Sequence, residues 1–138
     1  MRISIIAATA LCMLTGGTSA SDAPLYKTRD CGKEMVQMGM NMCAGANLDA
    51  ANTELNRVYQ KLMSQQTDQP SKDQLKDVER SWIAYRDKEC AWEIGPQEDG
   101  GSIWPMAMDN CLQEKTDARI RELKSQLECV EGDVACKK

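Results

Sequence analysis

Apolar residues recur every three or four positions along several stretches of this 138-residue chain. The clearest stretch begins at Leu48 and ends near Met63, and this spacing places the apolar side chains on one face of an amphipathic helix. The stripe consists of Leu48, Ala51, Leu55, Tyr59 and Leu62. Because a polar segment ending in Pro70 interrupts it, we predict a first helix over about 46–65.

A second helical stripe follows Pro70. Ser71 has the chemistry of an N-cap, and Gln74 stands three residues later, as in a capping box. The apolar face consists of Leu75, Val78, Trp82 and either Tyr85 or Arg86. A Gly-Pro pair ends the pattern, so we predict a second helix over about 71–92.

A third stripe lies near the C-terminus, after a Gly- and Pro-rich loop at residues 95–105. It consists of Leu112, Thr116, Ile120, Leu123 and Leu127. This spacing predicts a helix over about 105–127. Since no segment alternates as a strand does, the fold class is all-α, a small bundle of about three helices.

The segment before the first helix is less regular. Gly39 and Gly45 are poor residues for a helix interior, so we predict a bent or broken helical segment there. Residues 21–30 are polar and are expected to be a flexible N-terminus. Residues 31–138 are expected to form a single domain.

The first twenty residues have the pattern of a secretory signal peptide. Arg2 precedes an apolar run that is too short to span a membrane, and small residues up to Ala20 resemble a cleavage site. Lipidation of Cys12 is the rival interpretation, but Leu11 stands where that signal requires a small residue. We therefore expect residues 1–20 to be removed and the protein to be periplasmic or secreted.

Acidic residues exceed basic ones, with a formal net charge of −4 that becomes one unit more negative without Arg2. This balance argues against nucleic acid or an anionic membrane as partner. It suits a basic protein partner, since complementary charge speeds encounter. Solubility alone is the simpler explanation of the same charge.

Six of the seven cysteines follow the predicted cleavage site, and an even number in a small exported domain indicates three disulfides. The chain has no histidine and no Cys-x-x-Cys pair, which argues against zinc and heme. No cofactor or metal is expected. The lack of histidine also removes the most common general base.

Helix geometry limits the cysteine pairings. Cys90 and Cys111 lie near the two ends of the loop that joins the second and third helices, so they form the most natural pair. A local Cys129–Cys136 bridge becomes feasible if the chain turns back at Gly132.

Cys31–Cys43 is the remaining pair. A straight helix would separate these residues by about 18 Å, too far for a disulfide. The pairing therefore requires a bend near Gly32 or Gly39. Without that bend, Cys43 would instead pair with Cys90 or Cys111.

The 95–105 loop supplies the candidate partner-binding residues. Trp92 and Trp104 flank it and either fix its base or serve as exposed anchors, because tryptophan is enriched in binding hot spots. Glu98 and Asp99 are adjacent acids in a Gly-rich setting that does not favour paired-carboxylate catalysis. Ser102 belongs to a flexible turn and not to a nucleophile elbow.

Two further features have competing interpretations. Arg86 either connects the helices through Glu54, Asp117 or backbone carbonyls, or binds a substrate. The methionines between Met35 and Met42 are expected to fill the core, the ordinary role of this flexible side chain, with a copper site as the alternative.

Several short motifs follow one another in this order: Cys31, Cys43, Glu54-Leu-Asn-x-x-Tyr59, Trp82-Ile-x-Tyr-Arg-Asp-x-x-Cys90, Gly101-Ser102, Cys111, Thr116 and Arg119. This order resembles that of the LprI-like lysozyme-inhibitor domain of exported bacterial proteins. The resemblance covers about residues 31–127 and includes four of the cysteines, while Asn52 stands where the family often has an acid. The other matching residues are mainly of structural types: Leu55, Asn56, Tyr59, Trp82, Tyr85, Arg86, Asp87, Thr116 and Arg119.

The resemblance implies an all-helical exported domain without enzymatic activity that inhibits lysozyme-type muramidases. By analogy, the 95–104 loop would enter or cover the substrate cleft of the enzyme. An envelope protein with another partner is the alternative. A cell-wall hydrolase is a further alternative, and it would require two carboxylates that face each other across a cleft.

Overall fold

The computed structural model describes residues 25–129, and throughout this range the regular structure is helical, with no strand. Three long helices dominate, which confirms the predicted all-α bundle. The elements in chain order are a 3₁₀ turn at Cys31–Lys33, α1 at Gln37–Gln65, α2 at Gln69–Ile94, α3 at Gln97–Gly100, a second 3₁₀ turn at Gly101–Ile103, and α4 at Trp104–Leu127.

The start of α2 shows why its bounds could be predicted closely. Asp68, and not Ser71, is the N-cap, and its carboxylate accepts a hydrogen bond from the Ser71 backbone N–H at 2.9 Å. Pro70 lies in the first turn, where its missing N–H leaves no helical hydrogen bond unmade. The helix therefore begins two residues before the predicted position.

Helix α1 begins nine residues before the predicted position, and Gly39 and Gly45 lie inside it. The bend that was expected within this segment lies just before the helix, where Glu34 and Val36 have extended backbone conformations. Beyond this bend the Cys31–Cys43 disulfide forms, with its Cα atoms 5.6 Å apart.

The core forms where α1 and α4 pack together. The predicted stripes of both helices are confirmed, and Val58 adds a buried residue that they did not include. Each such aliphatic side chain contributes about 1.5–3 kcal/mol when fully buried. The buried cluster consists of Leu55, Val58, Leu62, Ile120 and Leu123.

The face that helix α2 turns to the bundle agrees in part with the predicted one. Leu75 and Trp82 are half-buried as predicted, whereas Val78 is 47% exposed and its predicted inward placement was wrong. Of the two alternatives for the next turn, Arg86 is half-buried and Tyr85 is 55% exposed. Glu79 and Cys90 complete the inward positions. Polar groups occupy this face because they find partners on α4.

Both α1 and α2 rest on α4, and they make little contact with each other. The short connection at residues 66–68 makes α1 and α2 sequence neighbours, yet α4 is the element that joins them. A cleft therefore remains open between α1 and α2.

The segment before the first cysteine is held against α4. Tyr26 donates a hydrogen bond to Asp117 at 2.6 Å and accepts one from Gln113 at 3.0 Å. Leu25 and Tyr26 both pack against the core cluster. These contacts differ from the flexible N-terminus that the sequence predicts over 21–30, of which residues 25–30 are described.

Two predictions lie outside the described residues. They are the signal peptide at 1–20 and the Cys129–Cys136 bridge, whose second cysteine is not described. Within residues 25–129, no helix is both long enough and apolar enough to span a bilayer.

Candidate functional site

The connection between α2 and α4 is an ordered structure and not an open loop. Gly95 and Gly101 have positive φ angles of 79° and 57°, which glycine adopts without steric cost. These two residues allow the chain to leave α2, form α3 and enter the 3₁₀ turn. The predicted long loop is thus two short helical turns.

Trp104 fixes the base of this connection. Its indole N–H donates to the Gly95 carbonyl at 3.0 Å, and the ring is half-buried. Gly100 lies beneath the ring, where an added Cβ would come within 2.5 Å of the Trp104 side chain. Of the two roles considered for the tryptophans, Trp104 therefore has the structural one.

Two further links hold the connection. The Cys90–Cys111 disulfide joins α2 to α4 beneath it, with Cα atoms 5.8 Å apart. Asn41, near the start of α1, donates its side-chain amide to the Ser102 carbonyl at 2.9 Å. Ser102 therefore connects the 3₁₀ turn to α1.

These links bring several exposed apolar residues to one end of the bundle. Trp92 is 81% exposed, and Ile103 is 51% exposed in the 3₁₀ turn that Asn41 contacts. Near the start of α1, Met38 and Met42 are 71% and 70% exposed and stand four residues apart, on one helical face. We call this surface, with the preceding Met35 and Val36, the loop end.

The exposed methionines contradict the prediction that they fill the core. Met35 is 92% exposed, the highest value among the large apolar residues. Apolar exposure of this extent is unusual unless the surface contacts a partner. No group of three or more cysteine, histidine, aspartate or glutamate side chains within residues 25–129 is arranged to hold a metal.

Acidic side chains accompany the apolar residues. Glu98 and Asp99 are exposed in α3, next to the Gly-rich turn. A carboxyl with perturbed titration lies elsewhere, between α1 and α4: burial raises the pKa of Asp109, and the negative charge of Asp49 adds to the shift. Asp109 could not be identified from the sequence, because its burial depends on the close approach of α4 to Gly45.

Trp82, Arg86 and Arg119, three of the residues that carry the family resemblance, form a separate cluster inside the bundle. Two guanidinium groups contact the Trp82 ring, with Arg86 Cζ 5.4 Å and Arg119 Cζ 5.8 Å from its centroid. Cation–π contacts of this kind are worth about 0.5–2 kcal/mol each. Trp82 is therefore a structural centre for α2 and α4.

Arg86 connects all three long helices, although not through its predicted partners. It donates to Asn52 of α1 at 3.1 Å, to the Thr116 hydroxyl of α4 at 3.1 Å, and to Asp87 at 2.8 and 2.9 Å. The predicted partner Glu54 instead accepts from Arg57 at 2.7 and 2.9 Å. The other one, Asp117, accepts from Tyr26.

The remaining members of the resemblance lie in different environments. Leu55 is in the core, while Tyr59 is half-buried beside it. Asn56 and Tyr59 line the cleft between α1 and α2. Tyr85 points outward and is 55% exposed.

Comparisons with known proteins agree with this architecture. The family described as Lysozyme inhibitor LprI matches residues 28–123. An uncharacterized protein of Rhizobium meliloti (strain 1021) is 36% identical, in an alignment that covers 91% of this chain and 98% of the relative. No solved structure is significantly similar to the chain. The match over most of the helical bundle shows that this chain belongs to the LprI family of lysozyme inhibitors.

Proposed function

We propose that this protein is an exported, non-enzymatic binding protein that inhibits lysozyme-type muramidases through the loop end. Membership of the family supports the activity. The loop end is proposed as the binding surface because Trp92, Met38 and Met42 are exposed there, on an ordered, disulfide-linked end of the bundle. Export depends on the signal peptide that the sequence predicts at residues 1–20.

The loop end has the composition of a protein-binding surface. Tryptophan and methionine are enriched in interfaces, and a central aromatic anchor often supplies much of the binding energy. Glu98 and Asp99 add negative charge, which would attract cationic groups of a basic enzyme and speed encounter. Together they combine apolar contact with electrostatic steering.

The links beneath the loop end favour binding in a second way. The Trp104–Gly95 hydrogen bond, the Asn41–Ser102 hydrogen bond and the Cys90–Cys111 disulfide fix the surface before any partner arrives. A surface that is already ordered loses less conformational entropy when it binds.

The direct test is a cell-wall lysis assay with lysozyme and purified, oxidised residues 21–138. We expect lysis to slow as the protein is added, and a variant carrying Met38→Ala, Met42→Ala and Trp92→Ala to lose most of the effect. Val78→Ala with Tyr85→Ala, two exposed positions of α2 outside the loop end, is the matched control. Unchanged lysis at a large molar excess of the unaltered protein would refute the proposed activity.

A further inference from the structure

The cleft between α1 and α2 is a second candidate binding site, away from the loop end. Its volume is about 450 Å³, within the range of ligand-binding pockets. The cleft lies along the middle of both helices, whereas the loop end comprises the start of α1, the last turn of α2 and the connection after it. The cluster of Trp82, Arg86 and Arg119 lies next to the cleft, because Arg86 is one of the residues that line the cleft.

The α1 wall of the cleft is a helical ridge. Asn52, Leu55, Asn56 and Tyr59 line it, at the spacing that places side chains in one row. Seven residues of helix extend about 10 Å. The side-chain oxygen of Asn52 accepts a hydrogen bond from Arg86. The side-chain amide of Asn56, in contrast, forms no hydrogen bond with any residue in 25–129. The wall thus offers apolar contact together with free hydrogen-bonding groups.

The α2 wall is a second ridge that carries positive charge. Lys76, Arg80 and Ile83 follow each other at intervals of four and three residues. Ile83 is 41% exposed, and neither Lys76 nor Arg80 forms an ion pair or a side-chain hydrogen bond with any residue in 25–129. Glu79 also lines this wall, but its carboxylate is paired with Arg119, so the unpaired charges of the wall are positive whereas the overall charge of the protein is negative.

We propose that the cleft binds an acidic amphipathic helix of a partner protein. Two adjoining helices with side-chain ridges form a groove of the kind into which a third helix packs. The apolar face of the incoming helix would contact Tyr59 and Ile83. Its acidic residues would pair with Lys76 and Arg80, which are otherwise unpaired within the described chain.

The bundle architecture favours a helix as the occupant. Both α1 and α2 rest on α4 and barely contact each other, so an additional helix between them would give each a neighbour on its open side. The completed arrangement would contain four long helices, a common solution for burying apolar faces.

The test uses two model peptides of about 18 residues, each roughly 27 Å long as a helix. Both carry Leu at alternating intervals of three and four positions on an Ala background, with Glu flanking the Leu stripe in one peptide and Lys in the other. Isotopically labelled residues 21–138 are titrated with each peptide, and NMR monitors the Asn56 amide and the Ile83 methyl.

We expect the Glu peptide to bind with a Kd below about 1 mM and to shift the signals of Asn56 and Ile83. The Lys peptide should bind about tenfold more weakly, since two exposed ion pairs are lost. Lys76→Glu with Arg80→Glu should reverse this preference. Lys61→Glu with Lys88→Glu changes the net charge equally at exposed positions outside the cleft and should leave the preference unaltered.

Three results would overturn the proposal. The first is that the NMR signals of Asn56 and Ile83 do not shift up to the highest peptide concentration. The second is that the Lys76 and Arg80 substitutions do not change the preference for the Glu peptide over the Lys peptide. The third is sedimentation showing that a second copy of this chain occupies the cleft. None depends on lysozyme, so the cleft and the loop end are tested independently.

Discussion

Glu79 of α2 and Arg119 of α4 form a salt bridge almost entirely inside the bundle, with side-chain exposures of 9% and 11%. Arg119 Nε donates to a Glu79 carboxylate oxygen at 3.0 Å, and Nη2 donates to the same oxygen. The Arg119 guanidinium also lies against the Trp82 ring. This pair joins two helices at a position that the apolar periodicity of α2 did not identify as buried.

Removal of one member of this pair should destabilise the bundle strongly. Glu79→Ala leaves the buried Arg119 charge with Glu122 as its ion-pair partner, at 2.9 Å. We expect a loss of about 2–4 kcal/mol in the free energy of unfolding, measured by urea denaturation. Lys33→Ala breaks an ion pair whose side chains are 82% and 64% exposed and should cost less than about 1 kcal/mol. Equal losses for the two variants would contradict the structural role of Glu79.

Trp92 and Trp104, the two tryptophans that flank the connection between α2 and α4, should respond differently to substitution. Trp92→Ala removes a side chain that is 81% exposed, so the melting temperature should change little while lysozyme inhibition weakens by about tenfold or more. Trp104→Ala removes the ring above Gly100 and the hydrogen bond to Gly95, so it should lower the melting temperature. Thermal unfolding and the lysis assay on both variants check this, and a stable Trp92→Ala variant with full inhibition would exclude Trp92 from the interface.

Stability should fall in acid partly because of Glu54. The hydrogen bonds from Arg57, supported by Lys124, lower the pKa of Glu54 to about 2 against the opposing effect of burial. Since the folded pKa is below the unfolded value of about 4.3, the stabilisation is complete above that value. It is lost as the pH falls towards 2.

The Glu54→Gln variant isolates this contribution. Arg57 is more than half exposed, so solvent screening reduces the effect, and we expect wild type to lose about 1–2 kcal/mol more than the variant between pH 5 and 2. Denaturant unfolding at several pH values measures the difference. Parallel pH profiles for the two proteins would show that the ion pair contributes nothing.

Mild peroxide should oxidise the loop end first. Met35, Met38 and Met42 are 92%, 71% and 70% exposed, whereas Met63 and Met108 are half-buried. Conversion to the sulfoxide makes an apolar side chain polar, so inhibition should decline while the helical fold persists. Peptide mass spectrometry measures the oxidation of each methionine, circular dichroism measures the helical content, and the lysis assay measures inhibition. Early oxidation of Met63 would contradict the exposure pattern.

The sequence predicted the helices whose ends carry local signals. Helix α2 is close to its predicted range because Pro70 suits only the first turn of a helix, and Gly95 has the positive φ angle that often ends one. The start of α1 was missed because helix propensity counted against Gly39 and Gly45. In the structure, Gly45 lies where a Cβ would be only 3.3 Å from Asp109, so the close approach of α4 outweighs propensity.

The candidate site was predictable in part. The pairing of Cys90 with Cys111 followed from the position of both residues at the ends of one connection. The different roles of Trp92 and Trp104 could not be read from their spacing, because they depend on a hydrogen bond to the Gly95 carbonyl. The inward face of α2 was predicted except that Val78 was placed on it and Glu79 was not, since periodicity detects apolar residues and Glu79 is buried through its salt bridge to Arg119.

The placement of α4 has a consequence for the order of folding. The helix that joins the other two is the last to be synthesised, so a nascent chain holding only α1 and α2 lacks the surface on which both pack. Contacts between distant parts of a chain also form late, because they require closure of a long loop. The polypeptide should therefore remain unfolded until almost all of it has emerged, which would suit the export that we propose.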